Sequence, residues 1–329
     1  ESFTVDLSGA VNATIAAPAG TGTIQNDDGA ANPSISITDP SVTEGNAGTK
    51  TMTFTVSLGA ASAQTVTVDF KTADGTATSG GVAAAGGLDY EAASGTVTFA
   101  PAETSKDVSI TINGDTFDEA DETFALNLSN AQNGIIAKAQ GVGTITNDDG
   151  APSVTIDDVA VDEGQAGTTN LVFTATLSNT SGRAVKVDYA TADGTAKAGG
   201  ALASDGQDYL ATSGTLTFPP GTSTQTVSIT MNGDVLNEVN ETLTVTLSNP
   251  VNVTLGGKSQ GVGTITNDDA APSIVINDVA VNEGNSGTTA MSFTVTLVDA
   301  TNAPVASGRS VSVDYATADV SATAGSDYV

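Results

Sequence analysis

Short runs of alternating apolar and polar residues fill the chain, and Gly, Asn, Asp and Pro separate them at short intervals. Residues 51–58 read Thr-Met-Thr-Phe-Thr-Val-Ser-Leu, and residues 185–190 read Val-Lys-Val-Asp-Tyr-Ala. A period of two places apolar side chains on one face of a β-strand and polar side chains on the other. The separating residues are those that form turns. We therefore predict an all-β protein.

The same landmarks recur along the chain about every 120 residues. The motif Thr-Ile-x-Asn-Asp-Asp ends at Asp28, Asp149 and Asp269, which gives spacings of 121 and 120 residues. Such a fixed period indicates a repeat architecture. We predict the last two strands of a repeat at 1–29, complete repeats at 30–149 and 150–269, and the first half of a further repeat at 270–329. Because both ends cut through a repeat, we expect the chain to be a segment of a longer protein.

Each complete repeat contains about seven predicted strands, in the first repeat near 34–38, 51–58, 64–72, 95–99, 106–112, 122–129 and 141–146. Short alternating strands in this number favour two packed antiparallel sheets, an immunoglobulin-like β-sandwich. The linkers after the closing motif are short and contain proline, which favours a semi-rigid array. The predicted core consists of Phe54, Val68, Phe70, Val97, Phe99, Ile110, Phe124, Leu126 and Ile145, and in the second repeat of Phe173, Val187, Tyr189, Leu216, Phe218, Ile229, Leu243 and Ile265.

Composition narrows the chemistry that the segment can perform. It has 9 Lys and Arg against 38 Asp and Glu, a net charge of −29, and no His or Cys. A surface this acidic repels phosphate backbones, so we expect no nucleic-acid partner. Without His and Cys there is no Ser-His-Asp triad, zinc thiolate site or cysteine nucleophile, and we expect no enzymatic activity. No apolar run is long enough to span a bilayer.

The acidic residues are concentrated at particular places in the repeat. Residues 115–124 read Asp-Thr-Phe-Asp-Glu-Ala-Asp-Glu-Thr-Phe, and their counterparts at 234–243 read Asp-Val-Leu-Asn-Glu-Val-Asn-Glu-Thr-Leu. The first, fifth and eighth positions stay acidic, whereas the fourth and seventh change from Asp to Asn. A solvated charged loop would not select positions in this way, although a recent duplication could also leave them unchanged. The spacing favours side chains that are aimed at one point.

Calcium takes about six to eight oxygen ligands, more than one acidic run supplies. Further acids lie in other predicted loops, and the loops at one end of a sandwich converge. Clustered carboxylates repel one another unless a cation neutralises them. The run does not form an EF-hand loop, because Ala120 occupies the position where that loop needs Gly. The candidate metal ligands are Glu44, Asp74, Asp115, Glu119, Glu122, Asp148 and Asp149 in the first repeat, and Glu163, Asp193, Asp234, Glu238, Glu241, Asp268 and Asp269 in the second.

The combined pattern resembles the Calx-β family, the calcium-binding sandwich named for sodium–calcium exchangers and widespread in large bacterial surface proteins. The resemblance covers essentially the whole chain. It rests on Val-x-Glu-Gly, Thr-Ala-Asp-Gly-Thr-Ala (72–77 and 191–196), a recurrent Asp-Tyr pair, Asp-x-x-x-Glu-x-x-Glu-Thr-Phe/Leu and the closing Thr-Ile-x-Asn-Asp-Asp. It implies Ca²⁺ bound by the acids above at the loop end of each sandwich, near the junction with the next repeat, together with the Phe117 carbonyl.

Two features qualify what the resemblance implies. Gly114 and Thr116 stand where exchanger domains carry a fuller acidic run, so we expect fewer ions at each junction. Asp89 and Asp208, which belong to the Asp-Tyr pairs, are predicted to fix a turn while the tyrosine packs, and we do not count them among the ligands.

We predict a calcium-binding repeat array that acts as a stiff extracellular spacer, adhesin stalk or surface fibre, secreted or on a bacterial cell surface. Its partners would be neighbouring repeats of the same chain, and the sequence does not identify an adhesion target. The alternative is a calcium-independent filament subunit that assembles through strand edges or strand exchange. A calcium sensor of transport, as in the exchangers, would need a membrane domain outside this segment.

Overall fold

The computed structural model describes residues 1–25, 32–80, 88–199 and 207–329, and the regular structure in them consists of β-strands. The last three residues of the closing motif of the first partial repeat, 26–28, lie outside the described residues. A search of the described residues finds no helix with the length and apolar character needed to cross a membrane. Contacts divide the chain into two compact units, one formed by most of residues 1–148 and the other by residues 149–329 together with residues 117–119. The all-β prediction is confirmed.

The first unit contains a two-sheet sandwich. Its strands are β3 (Ser34–Ile37), β4 (Ser41–Thr43), β5 (Gly48–Leu58), β6 (Val66–Asp74), β7 (Ser94–Phe99), β8 (Ser105–Gly114), β9 (Glu122–Gln132), β10 (Ile135–Ile136) and β11 (Gln140–Thr146). One sheet has the order β10-β3-β5-β8 and the other the order β4-β11-β9-β6-β7. A separate antiparallel hairpin of β1 (Ser2–Asp6) and β2 (Ala19–Thr23) precedes the sandwich.

The second unit repeats this sandwich. Its strands are β12 (Ser153–Ile156), β13 (Val159–Asp162), β14 (Gly167–Leu177), β15 (Val185–Asp193), β16 (Ser213–Phe218), β17 (Thr224–Gly233), β18 (Glu241–Val251), β19 (Thr254–Leu255) and β20 (Gln260–Thr266). The sheets have the orders β17-β14-β12-β19 and β13-β20-β18-β15-β16, as in the first unit. An antiparallel pair, β21 (Ser273–Ile276) and β22 (Val295–Val298), follows.

The structure contains the seven strands predicted for the first repeat and adds β4 and β10. β4 exists because the chain changes sheets after β3. Pro40 lies between the two strands, but the second repeat makes the same change between β12 and β13 with Asp157 and Asp158, so a proline is not required. β3 pairs with β5 in one sheet, whereas β4 runs parallel to β11 in the other. This change of sheet places the end of β4 beside the end of β11.

Each sandwich buries one apolar core between its two sheets. The predicted core residues are buried except for Phe70 and Tyr189, which are only partly buried at the edge of their cores. Each of these rings lies over a glycine on the neighbouring strand, Gly95 or Gly214. A Cβ at Gly95 would lie 3.0 Å from the Phe70 ring. The sequence predicted that these two aromatic residues pack in the core. In the structure they cover glycines at the edge of the core instead.

The β1–β2 hairpin has the strand register of β9 and β11. Phe3 pairs with Gly22 as Phe124 pairs with Gly143. Phe3 and Val5 of β1, and Leu7 directly after it, are more than half exposed, whereas residues at the corresponding positions of β9 are buried (Phe124, Leu126, Leu128). The hairpin thus has the pairing of the last two strands of a repeat.

Candidate metal centre

The parallel pairing of β4 with β11 brings the closing motif to the Val-x-Glu-Gly segment. Thr43 is the partner of Thr146, and the Glu44 amide donates a hydrogen bond of 3.2 Å to the Thr146 carbonyl. The Gly45 amide then donates to Asp148 Oδ1 at 2.9 Å. Gly45 has a φ of 83°, a left-handed conformation that glycine adopts without steric cost. The glycine after the acid is therefore part of the turn that places Glu44 beside the closing motif.

The second repeat has the same arrangement at the end of β13 and β20. The Glu163 amide donates to the Thr266 carbonyl at 3.1 Å, and the Gly164 amide donates to Asp268 Oδ1 at 3.3 Å. Oxygen atoms of Glu163, Asp268 and Asp269 lie within 4.8 Å of one another. We call these three residues the Glu163 cluster. It forms from segments about a hundred residues apart in sequence because two parallel strands end at the same edge.

Two carboxylate oxygens of the Glu163 cluster are buried without a hydrogen-bond donor among the described residues, Glu163 Oε1 and Asp269 Oδ2. The two residues are only 6% and 8% exposed. Buried polar atoms are normally hydrogen-bonded, and leaving a charged one unmatched costs more than leaving a neutral one. The cluster therefore provides oxygen atoms that a bound cation would satisfy.

The electrostatics of the Glu163 cluster also favour a bound cation. Burial, followed by repulsion from Asp234 and Asp269, raises the pKa of Glu163 to about 8. Burial also raises the pKa of Asp269, and repulsion from Asp268 adds to this. A nearby positive charge would reverse both effects, because it favours the ionised form of each carboxyl group.

The first repeat forms the equivalent cluster from Glu44, Asp148 and Asp149, whose oxygen atoms also lie within 4.8 Å of one another. Glu44 is buried, like its counterpart Glu163. The structure thus brings together in each complete repeat the glutamate of Val-x-Glu-Gly and the two aspartates of the closing motif.

A further group in the first repeat contains Asp89, Glu119 and Glu122, again with oxygen atoms within 4.8 Å. Burial raises the pKa of Glu122 to about 8, and repulsion from Asp89 and Glu44 contributes. Burial also raises the pKa of Asp89, although the hydrogen bond from the Thr78 amide opposes the rise. Burial therefore favours the protonated form of both carboxyl groups.

Asp89 is the candidate ligand that the sequence analysis left out. It does fix a turn, as predicted, because its Oδ2 accepts a hydrogen bond of 2.6 Å from the Thr78 amide. It also joins two acids of the run at 115–124. The recurrence of the Asp-Tyr pair in all three repeats could have indicated this second role. A turn-fixing role alone was enough to explain that recurrence, so Asp89 was not counted as a ligand.

Asp74 and Asp193 were predicted as ligands, and the structure does not place them in any of these groups. Asp74 Oδ1 accepts hydrogen bonds from the Tyr90 hydroxyl at 2.6 Å and from the Ser79 amide at 2.9 Å. Asp193 Oδ1 accepts from the Tyr209 hydroxyl at 2.8 Å. The tyrosine hydroxyl lowers the pKa of each aspartate. Both aspartates are therefore hydrogen-bonded within the protein, and their role as direct metal ligands stays a prediction.

The remaining predicted ligands lie near the groups. The charge of Asp115 raises the pKa of Asp89, and that of Asp234 raises the pKa of Glu163. In the second repeat, burial and Asp208 raise the pKa of Glu241 to about 7, and Glu238 contributes. Asp208, Glu238 and Glu241 do not form a group within 4.8 Å among the described residues, unlike their counterparts in the first repeat.

One of the two positions that change from Asp to Asn has a structural explanation. Asp121 Oδ1 accepts a hydrogen bond of 3.2 Å from the Asn147 amide, and Asn240 Oδ1 accepts the same bond from Asn267, also at 3.2 Å. An amide oxygen accepts this bond as a carboxylate does. Charge is therefore not needed at this position, which holds the closing motif in place.

Comparison with known proteins gives consistent matches. The Calx-beta domain family matches residues 27–149, 146–270 and 267–329. Sodium/calcium exchanger 1 of Bos taurus is 30% identical over 224 residues, which is 62% of this chain and 22% of the exchanger. Sodium/calcium exchanger 3 of Mus musculus is 30% identical over 213 residues, 57% of this chain and 21% of that protein. The chain therefore spans about a fifth of the length of these relatives.

Among solved structures, the comparison finds CBD12 from CALX1.2, with 20% identity, a TM-score of 0.30, and coverage of 67% of this chain and 79% of that chain. The apo form of the Calx CBD1 domain has 26% identity and a TM-score of 0.28, and the match covers 36% of this chain and 98% of that chain.

Proposed function

The chain belongs to the Calx-beta family, and we propose that its complete repeats bind calcium through the carboxylates at the loop end of each sandwich. The observation that carries the proposal is the Glu163 cluster, where two buried carboxylate oxygens lack a hydrogen-bond donor within the described part of the chain. The cluster offers only oxygen atoms, and the chain has no His or Cys to supply nitrogen or sulfur ligands. Oxygen donors in a site of mixed backbone and side-chain groups suit calcium.

We propose a structural use for this binding, as a stiff spacer, adhesin stalk or surface fibre outside the cell, rather than catalysis. The closing motif supplies ligands and is followed within a few residues by the next repeat, with Pro152 or Pro272 in the linker. An ion held by the last residues of one repeat would restrain the linker at its start. A site of this kind stabilises only the folded state, so calcium would add to the resistance of the array to unfolding.

A second candidate function is a calcium-regulated segment of a larger transport protein, which the similarity to sodium/calcium exchangers favours. The two functions need different affinities. Sensor sites in proteins have dissociation constants of roughly 10⁻⁷–10⁻⁵ M, whereas extracellular modules bind at roughly 10⁻⁴–10⁻³ M. A measured dissociation constant therefore separates the spacer from the sensor.

Calorimetric titration of the full chain with calcium tests the proposal. We expect saturable binding, and loss of one class of sites when Glu163→Gln and Asp269→Asn are combined. The matched control is Asp188→Asn, which removes a carboxylate from β15 that only accepts hydrogen bonds from Thr215 and Asn249. Absence of saturable binding at millimolar calcium would overturn the proposal, and so would unchanged binding by the double variant.

A further inference from the structure

Each repeat contains a clasp, defined as an aspartate that accepts a hydrogen bond from a tyrosine hydroxyl, and in the first repeat the residue before the tyrosine belongs to an acidic group. In the first repeat, Asp74 Oδ1 accepts from the Tyr90 hydroxyl at 2.6 Å and from the Ser79 amide at 2.9 Å. Asp89, the residue before Tyr90, accepts from the Thr78 amide at 2.6 Å. Asp74 and Asp89 thus hold the same short loop from two sides.

Tyr90 is fixed by packing as well as by its hydroxyl group. It is 1% exposed, and its ring stacks on Phe124 with a centroid separation of 4.1 Å and an interplanar angle of 14°. It also forms an isolated antiparallel bridge with Ile112. A ring held at its face and at its hydroxyl has little freedom to rotate, and the backbone that carries the Asp89 carboxylate is held with it.

The clasp recurs in the second and third repeats. Asp193 accepts from the Tyr209 hydroxyl at 2.8 Å and from the Ala198 amide at 3.0 Å. Asp319 accepts from the Tyr328 hydroxyl at 2.5 Å and from the Ala324 amide at 2.8 Å. The aspartate that precedes the tyrosine accepts a loop amide in all three repeats, through Asp89, Asp208 and Asp327.

The length of the loop changes while the clasp does not. The aspartate and tyrosine are 16 residues apart in the first two repeats and 9 apart in the third. If the Asp-Tyr pair served only to close a loop of one length, it would not be needed in the third repeat, where the loop is shorter. What stays constant is the pair of hydrogen bonds that the earlier aspartate accepts, one from the tyrosine hydroxyl and one from a loop amide.

We propose that Asp74 and its counterpart Asp193 are positioning residues, which act through the tyrosine hydroxyl to present Asp89 and Asp208 to a bound cation. This inference rests on the calcium binding proposed above. It assigns to these aspartates the orienting of another ligand instead of direct contact with the cation. An acceptor oxygen at Asp74 is then required, whereas its negative charge is not. A direct ligand would have the opposite requirement, because it needs its charge.

Paired substitutions in both complete repeats of the full chain distinguish these roles. Asp74→Ala with Asp193→Ala removes the acceptor, and Tyr90→Phe with Tyr209→Phe removes only the donors. Each pair should weaken calcium affinity about tenfold, the lower end of the range for groups that orient metal ligands, without changing the number of ions bound. Asp74→Asn with Asp193→Asn keeps an acceptor oxygen and should restore affinity to within about twofold of the parent chain.

The matched control is Asp69→Ala with Asp188→Ala, which removes the same charge from β6 and β15. Asp69 accepts hydrogen bonds from Thr96 and Asn130 and lies in none of the acidic groups. Its loss should lower the melting temperature in chelator without changing calcium affinity. This separates positioning from general destabilisation.

The outcomes are distinct. Parent-like affinity in the tyrosine variants overturns the inference, as does an asparagine pair that binds as weakly as the alanine pair, because charge would then act directly at the ion. Loss of a bound ion in the alanine pair also overturns it. If the parent chain binds no calcium, the proposed function and the inference both fail. If the parent binds and all the variants match it, only the inference fails.

Discussion

The Gly45 amide donates a hydrogen bond of 2.9 Å to Asp148 Oδ1, although the two residues are 103 positions apart in sequence. The contact joins the beginning of a repeat to its closing motif. It exists because β4 and β11 run parallel and end together, and because Gly45 adopts a left-handed turn after Glu44. The second repeat makes the same contact between Gly164 and Asp268. A metal site at this edge would therefore link the two ends of each sandwich.

Calcium removal should lower the melting temperature of the full chain. A ligand that binds only the folded state stabilises it by about 2.7 kcal/mol when its concentration is a hundred times the dissociation constant. Differential scanning calorimetry in excess calcium and in excess chelator measures the difference. The chain with both Glu163→Gln and Asp269→Asn should show a smaller difference. Superimposable curves in the two conditions would contradict calcium stabilisation.

Much of the fold followed from the sequence because it depends on local patterns. Alternation predicted the seven strands of the first repeat, and the recurrence of the closing motif predicted the period. The break between β3 and β4 was not predicted, because the change of sheets at Pro40 depends on which strand each half pairs with. Phe70 and Tyr189 were assigned to the core on hydrophobicity, but their neighbours Gly95 and Gly214 leave them at its margin.

The sequence predicted which acidic residues are candidates for the site, but not which of them lie together. Sequence comparison identified Glu163, Asp268 and Asp269, which the structure brings together. It assigned Asp74 to the ligands and Asp89 to a turn, although both recur and both lie in predicted loops. In the structure the Tyr90 hydroxyl donates to Asp74, and Asp89 lies with Glu119 and Glu122 of the acidic run.

Glu163→Gln should have opposite effects with and without calcium. In chelator, the substitution removes a buried carboxyl group that its neighbours repel, so the melting temperature should rise by a few degrees for about 1 kcal/mol gained. In saturating calcium, it removes a charged ligand, and the melting temperature should fall. Asp188→Asn serves as the control and should shift in the same direction in both conditions. A Glu163→Gln chain that melts lower than the parent in chelator would contradict the repulsion inferred for the cluster.

The stability of the calcium-free chain should fall as the pH rises from about 4.5 to about 8. The pKa values of Glu163 and Glu122 are raised to about 8 in the folded state, so folding favours their protonated forms. This contribution is fully present below the unfolded-state pKa near 4.5 and is lost as the pH passes the folded-state values. Melting temperatures in chelator across this range measure the trend.

Calcium should reverse this dependence, because its binding requires the ionised carboxylates and releases protons. Affinity should therefore increase over the same pH range. Titrations at fixed pH in buffers of different ionisation enthalpy would detect the released protons. The interpretation would be wrong if binding heats were independent of the buffer and affinity did not change between pH 5 and 8.

Asp121→Asn should be tolerated, whereas Asp148→Asn should not. Asp121 contributes an oxygen to the Asn147 amide, and Asn240 makes the same bond in the second repeat without a charge. Its substitution should change the calcium-saturated stability by about 0.5 kcal/mol or less, as is usual for a change that keeps the hydrogen bond. Asp148 belongs to the cluster with Glu44, so losing its charge should weaken calcium binding by the first repeat. Calorimetric titration of the two single variants compares equal losses of charge within one acidic region. Similar affinities in the two variants would mean that total charge, and not the position of each carboxylate, determines binding.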